Sequence, residues 1–230
     1  MSSILPIYLV LIFGFLFAGA RRAQRNNITS TVESRSIYLL IASFAGWTVV
    51  LVIMGLNKTH LELMEDLPLL WQAFVPVTLW MSAITFSRST RLGLHKIAIS
   101  TPPHWLSWIQ LLRIGALGGI MKGVAGHISS DYVFWIGIPD FVFGISALVV
   151  GWLLWKSSLN PRVVIAWNLL GFSLIFFPTF LLMPHWMNET GFSFIFEFPM
   201  ILAPGIIVPT LISINLMQAW SAWFLSKKST

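Results

Sequence analysis

Seven long apolar runs dominate the chain: Leu5–Ala20, Ile37–Leu56, Leu67–Phe86, Trp105–Ala125, Tyr132–Trp155, Val163–Met183 and Phe194–Leu225. A bilayer core of roughly 30 Å takes about 20 apolar residues per helix. In lipid every backbone N–H and C=O needs a partner within the protein, which a helix supplies by itself. None of the runs alternates as a porin strand would. They predict an all-α fold, a polytopic membrane bundle of seven transmembrane helices forming one integral membrane domain over residues 1–230. Composition agrees. Only 10% of residues are charged, against about 25% in soluble domains, too few to cover a water-facing surface.

Charge placement sets the expected orientation. Basic residues favour the cytoplasmic side of a membrane protein. Arg21, Arg22, Arg25 and Arg35 follow the first run, Arg88, Arg91 and Lys96 the third, and Lys156 and Arg162 the fifth, while Lys227 and Lys228 close the tail. The other loops hold Lys58, with Glu62, Glu65, Asp66, Asp131 and Glu189. Among the acids, Glu33 falls in an inside loop. The N-terminus is therefore expected outside and the C-terminus in the cytoplasm. The first run has no Lys or Arg before it, so it reads as a retained helix rather than a signal peptide. The net charge of +6 follows from this loop bias and does not call for a nucleic-acid partner.

Two ionisable residues fall deep within runs. Arg113 lies about nine residues into the fourth and Asp140 about eight into the fifth, roughly 12–14 Å from opposite sides. The connection between these runs is short, which makes them antiparallel neighbours. An ion pair is expected, and two readings stay open: it fixes helix register, or it lines a binding site or proton path. Gln110, three residues before Arg113, can bond to the same site. Asn168 in the sixth run and Asn215 and Gln218 in the seventh are further polar groups, suited to interhelical bonding or to a ligand.

Small residues and prolines mark the same half of the chain. Gly115, Gly119 and Gly123 repeat a G-x-x-x-G spacing that lets backbones approach, within the molecule or toward a second copy or a partner subunit. Pro199, Pro204 and Pro209 interrupt the seventh run, with Gly205 beside one of them, and Pro178 lies in the sixth. Each removes a backbone donor, and broken helices are where transporters place their substrates.

Several activities are disfavoured. The last run lacks the buried Lys that a retinal Schiff base needs. His60, His95, His104, His127 and His185 lie at run ends or in loops, which leaves at most a peripheral haem or metal near His127 and His185. Without Cys there is no disulfide, thiolate metal site or iron–sulfur cluster. No P-loop, H-E-x-x-H or G-x-S-x-G motif occurs, and Asp140 has no acidic mate at its depth for intramembrane proteolysis. The pattern argues against an enzyme and names no cofactor.

Pro139-Asp140 with Gly144 and Ala147, Trp167-Asn168 with Gly171, and the prolines of the seventh run resemble an uncharacterised family of bacterial multi-helix integral membrane proteins. The resemblance covers about the last hundred residues. This chain has Pro139 where such proteins often carry Gly. It implies a bundle of about seven spans and draws attention to Asp140 and Asn168, but transfers no activity. The expectation is a protein of the bacterial inner membrane that binds a small molecule or ion between helices four to seven, as a transporter. The alternative is a non-catalytic subunit of a membrane complex holding lipid, pigment or a partner helix.

Overall fold

A computed structural model describes residues 4–59, 71–186 and 195–228. Among them every regular element is helical. His60, Glu62, Glu65, Asp66, Asn188, Glu189 and the beginnings of the third and seventh runs lie outside the described residues. Among the described residues five helices are long and apolar enough to cross a membrane: α1 (Leu5–Arg25), α2 (Thr31–Asn57), α7 (Ser130–Trp155), α8 (Pro161–Leu182) and α9 (Ala203–Lys227). The chain divides into two compact units. The first is Met1–Thr101 with Phe196–Thr210, and the second is Pro102–Ile195 with Leu211–Thr230.

In the first unit, α2 begins earlier than its apolar run. Ser30 and Glu33 form a reciprocal capping box, with Glu33 N donating to Ser30 Oγ at 3.3 Å and Ser30 N donating to Glu33 Oε2 at 2.7 Å. This satisfies two backbone donors that a helix start leaves free, so Glu33 belongs to the helix and not to a loop. Arg88, Arg91 and Lys96, expected in a loop, lie on α4 (Arg88–Ser100), whose Ser87 cap accepts from Thr90 N. Thr90, Leu94, Ile97 and Ala98 are buried along one of its faces. The other carries Arg88 and Arg91, a solvated edge that apolar content alone does not reveal. Lys96 Nζ bonds to both carboxylate oxygens of buried Glu33 at 2.8 Å.

Proline shapes the last helix. The seventh run is not one helix: residues 195–202 are mainly turns, Pro199 lies among them, and α9 starts at Ala203 with a π-turn over Ala203–Ile207. Pro209 has no N–H, so the Gly205 carbonyl four residues earlier is denied its α-helical donor. Trp47 Nε1 of α2 donates to that carbonyl at 3.0 Å. Gly205 also lies close to Leu51: a Cβ at 205 would be 2.7 Å from Leu51 Cδ1, so a side chain there would make Leu51 shift. Trp47 in turn meets Trp71 edge-on, and Phe44 stacks on Trp80, which joins α2 to α3 (Trp71–Phe86).

The second unit contains the fourth run, whose length and apolar content predict a single spanning helix. It forms α5 (Pro103–Trp108), a 3₁₀ turn over Ile109–Gly115, and α6 (Ala116–Val124), not one continuous α-helix. Gly126, at φ 76°, turns the chain, and Ser129 caps α7 by accepting from Tyr132 N. A π-turn over Val133–Gly137 precedes Pro139 as the one in α9 precedes Pro209. Asn160 caps α8, accepting from Arg162 N at 2.8 Å.

Replacing Trp47 with Phe keeps the ring and removes the donor to a buried carbonyl. Thermal unfolding in detergent is expected to reveal a loss of about 1–3 kcal/mol, the cost of an unsatisfied buried polar group. Gly46→Ala, where a Cβ meets nothing within 4 Å, serves as the neutral control.

Candidate functional site

Ser107, Gln110 and Arg113 recur at every third residue, and their exposures are 0%, 0% and 2%. In a 3₁₀ helix side chains three apart eclipse one another, so the turn over Ile109–Gly115 puts Gln110 and Arg113 in one column. Gln110 Oε1 accepts from Arg113 Nε at 2.9 Å, as the i−3 spacing suggested. Gln110 Nε2 donates to the Leu211 carbonyl of α9 at 3.1 Å. Ser107 exchanges hydrogen bonds with Gln218, whose Nε2 also donates to the Pro103 carbonyl.

Arg113 forms the expected ion pair. Its Nη1 donates to Asp140 Oδ1 at 3.0 Å and to the Gly171 carbonyl at 3.0 Å. The guanidinium lies 4.7 Å from the centroid of the Phe143 ring, which stacks on Trp167 at 4.5 Å. Trp167 Nε1 bonds to Ser146 Oγ, and that hydroxyl donates to the Phe143 carbonyl. A cation over an aromatic face gains electrostatic stabilisation, and the ring beneath it is itself held by a second ring.

Gly144 sets how closely α7 approaches this column. A Cβ there would lie 2.7 Å from Ile114 N and 3.0 Å from the carbonyl carbon of Arg113. Both obstacles are backbone, which cannot rotate aside. Asp140, Gly144, Ala147 and Gly151 fall on one α7 stripe by helical spacing. At Gly151 an added Cβ would collide with the Trp108 ring. The acid is thus carried on the small-residue face that lets α7 lie against α5 and the 3₁₀ turn.

The polar capacity of this region is not used up. Arg113 Nη2, Asn168 Oδ1 and both polar atoms of the Asn215 amide are buried with no hydrogen-bond partner among the described residues. Each such group costs about 1–3 kcal/mol if nothing occupies it. Asn168 Nδ2 donates to the Val164 carbonyl, and Asn168 stands one helical turn before Gly171, the carbonyl partner of Arg113. Asn215 stands one turn after Leu211, the partner of Gln110, and one before Gln218, the partner of Ser107. Asp140 bonds to Arg113 through Oδ1 alone among the described residues, and its side chain keeps 12% exposure. The pair is therefore a single contact and not the bidentate fork that Arg and carboxylate can form.

The structure joins Arg113, Asp140 and Gln110 directly, and places Asn168 and Asn215 one turn from Gly171 and Leu211, whose carbonyls accept from Arg113 and Gln110. Ser107, Phe143 and the Gly171 carbonyl were not anticipated, although the three-residue recurrence of Ser107 with Gln110 and Arg113 was visible in the sequence. The expected G-x-x-x-G approach is only partly realised. A Cβ at Gly123 would collide with Val133, but Gly118 and Gly119 have nothing within 4 Å. Gly115 ends the 3₁₀ turn. Pro204 lies within the π-turn of α9 and Pro209 two residues beyond it. His127 and His185 are exposed, and no group of three or more His, Cys, Asp or Glu among the described residues can hold a metal ion.

Gly144→Val is expected to push α7 from Arg113 and cost about 1–3 kcal/mol by overpacking, read as a lower thermal midpoint; Gly118→Ala is to leave it unchanged. The ion pair calls for a double-mutant cycle. Arg113→Met or Asp140→Leu alone leaves one buried charge and is expected to cost about 3–5 kcal/mol. The double variant should unfold at a higher temperature than either single one. Compared with known proteins, the chain matches no protein-family model, no curated protein and no solved structure.

Proposed function

We propose that this chain is a membrane transporter that binds a small polar molecule or ion at the Arg113–Asp140 centre. The observation that carries this reading is that, among the described residues, Arg113 Nη2 of a buried ion pair has unmet hydrogen-bonding capacity, as do Asn168 and Asn215, each one helical turn from a carbonyl bonded by Arg113 or Gln110. A pair that only fixed helix register would be expected to have its remaining donors and acceptors satisfied. In this reading Arg113 holds an anionic group or gates Asp140, the free oxygen of Asp140 exchanges a proton or cation, and Asn168 and Asn215 orient the ligand. Gln110 fixes the guanidinium.

Irregular helix supports the same reading. The 3₁₀ turn carries Arg113, and the π-turn of α7 ends three residues before Asp140. Such segments mark hinges and functional positions. We place the protein in the bacterial inner membrane as a seven-span bundle, with the N-terminus outside and the C-terminus cytoplasmic, on the strength of its loop charges. A second reading, a non-catalytic subunit, draws on α6: Gly118 and Gly119 are open, and beside them Met121 and Val124 are 65% and 86% exposed, a surface that a second copy or a partner helix could cover.

Proteoliposomes loaded with a pH-sensitive dye test the proposal, with amino acids, organic acids and amines added as separate pools under an inward proton gradient. Wild-type protein is expected to acidify the lumen with one pool. Asp140→Asn, Arg113→Gln and Asn215→Leu should each slow this at least about tenfold, the effect of losing one hydrogen bond to a charged group, while circular dichroism stays unchanged. Wild-type rates in folded variants would refute the assignment of the site. Silence with every pool, together with stable co-isolation of other membrane proteins, would favour the subunit reading.

A further inference from the structure

The first unit carries an open groove whose chemistry changes along its length. On α2, Thr31, Arg35, Tyr38 and Ala42 follow a helical spacing of four, three and four residues, and with Gln24 of α1 and Leu39 they line the groove. Its first turn offers a hydroxyl and a guanidinium, the next a phenol, and the last aliphatic carbon within the apolar run that begins at Ile37. That gradient from cationic to polar to aliphatic is the sequence of groups along a phospholipid, from phosphate through the glycerol esters to the acyl chain.

The groove's guanidinium, that of Arg35, is positive. Arg21, Arg22 and Arg25 lie toward the end of α1, and Arg35 is exposed, with no hydrogen bond or ion pair among the described residues. The nearby acid, Glu33, is already neutralised: Lys96 bonds to both of its oxygens, and Ser30 N to one. Tyr38 Oη donates to Gln24 Oε1 at 3.0 Å, which leaves the Gln24 amide protons as donors. The Tyr38 ring is steadied by Phe17, 5.6 Å away between centroids.

We propose that this groove is a binding site for one anionic phospholipid, its phosphate held by Arg35, Thr31 and Gln24 and an acyl chain laid along Leu39 and Ala42. Basic residues beside an anionic leaflet attract its lipids, but a graded groove goes further and selects a single molecule by both its ends. The assignment is independent of the Arg113–Asp140 centre.

Native mass spectrometry of the full chain, delipidated and offered phosphatidylglycerol with phosphatidylcholine, tests it. Wild-type protein is expected to retain phosphatidylglycerol preferentially. Arg35→Gln should lower that retention about fivefold, the scale of one basic residue near an anionic surface, with the phosphatidylcholine level unchanged. Ala42→Trp blocks the aliphatic end without touching charge and should also lose the lipid. Arg162→Gln, an exposed arginine in the second unit, should retain it. Wild-type retention in Ala42→Trp would mean diffuse charge attraction and overturn the proposal. Equal binding of the two lipids would overturn it too, as would displacement by inorganic phosphate at matching concentration, which would identify a site for the free anion. Circular dichroism verifies that each variant is folded.

Discussion

A guanidinium removed from water must find replacements for its hydration, and Arg113 organises the second unit around that need. Its Nε reaches along its own turn to Gln110, and its Nη1 reaches to α7 and α8 at once. Gln110 extends the chain of bonds to α9. One cationic side chain thereby fixes the relation of three helices to the 3₁₀ turn that carries it. Aliphatic residues could fill this volume at less desolvation cost, but they lack direction. Hydrogen bonds to a carboxylate and to a backbone carbonyl specify rotation and height along each helix, which apolar packing in a membrane does weakly.

The centre also depends on what is missing around it. Gly144 lets α7 approach until its own backbone touches that of Arg113, and Asp140, one turn earlier on the same stripe, is delivered to bonding distance. The Phe143 ring of the Phe143–Trp167 stack covers one face of the guanidinium. In the first unit the same economy holds around Trp47, where an indole N–H replaces the donor that Pro209 removes. In both places a backbone irregularity is matched by a side chain from a different helix.

Apolar run length was enough to read the helical class, and matched depth on antiparallel neighbours was enough to pair Arg113 with Asp140. Both signals survive because they rest on spacing along one axis. Other features depend on the partner and leave no mark in the segment itself. Nothing apolar distinguishes the 3₁₀ turn at Ile109–Gly115 from an α-helix; its polar column does so only once Leu211 and Gln218 are known to face it. The glycines of the fourth run drew attention by their repeat, yet the glycine whose added Cβ would meet backbone is Gly144 of α7, which with Gly151 has a spacing of seven that falls outside that repeat. Glu33 read as a loop acid because its cap partner, Ser30, lies before the apolar stretch. Pro199, Pro204 and Pro209 looked equivalent, but the helix begins between the first and the second.

The π-turns in α7 and α9 each insert an extra residue into the helical count. Each residue added to an α-helix rotates everything beyond it by about 100°. The face that Ser130 and Tyr132 occupy is therefore out of phase with the face that bears Asp140, Gly144 and Ala147. Shortening Val133–Gly137 by one residue would give a more regular helix, well able to span the same thickness of lipid. It would also swing the carboxylate about a quarter-turn away from Arg113. In a gene under drift, such a deletion would pass every test of hydrophobicity and length and still dismantle the centre, so the irregular turn acts as a phase setting that the rest of the unit has been built to match.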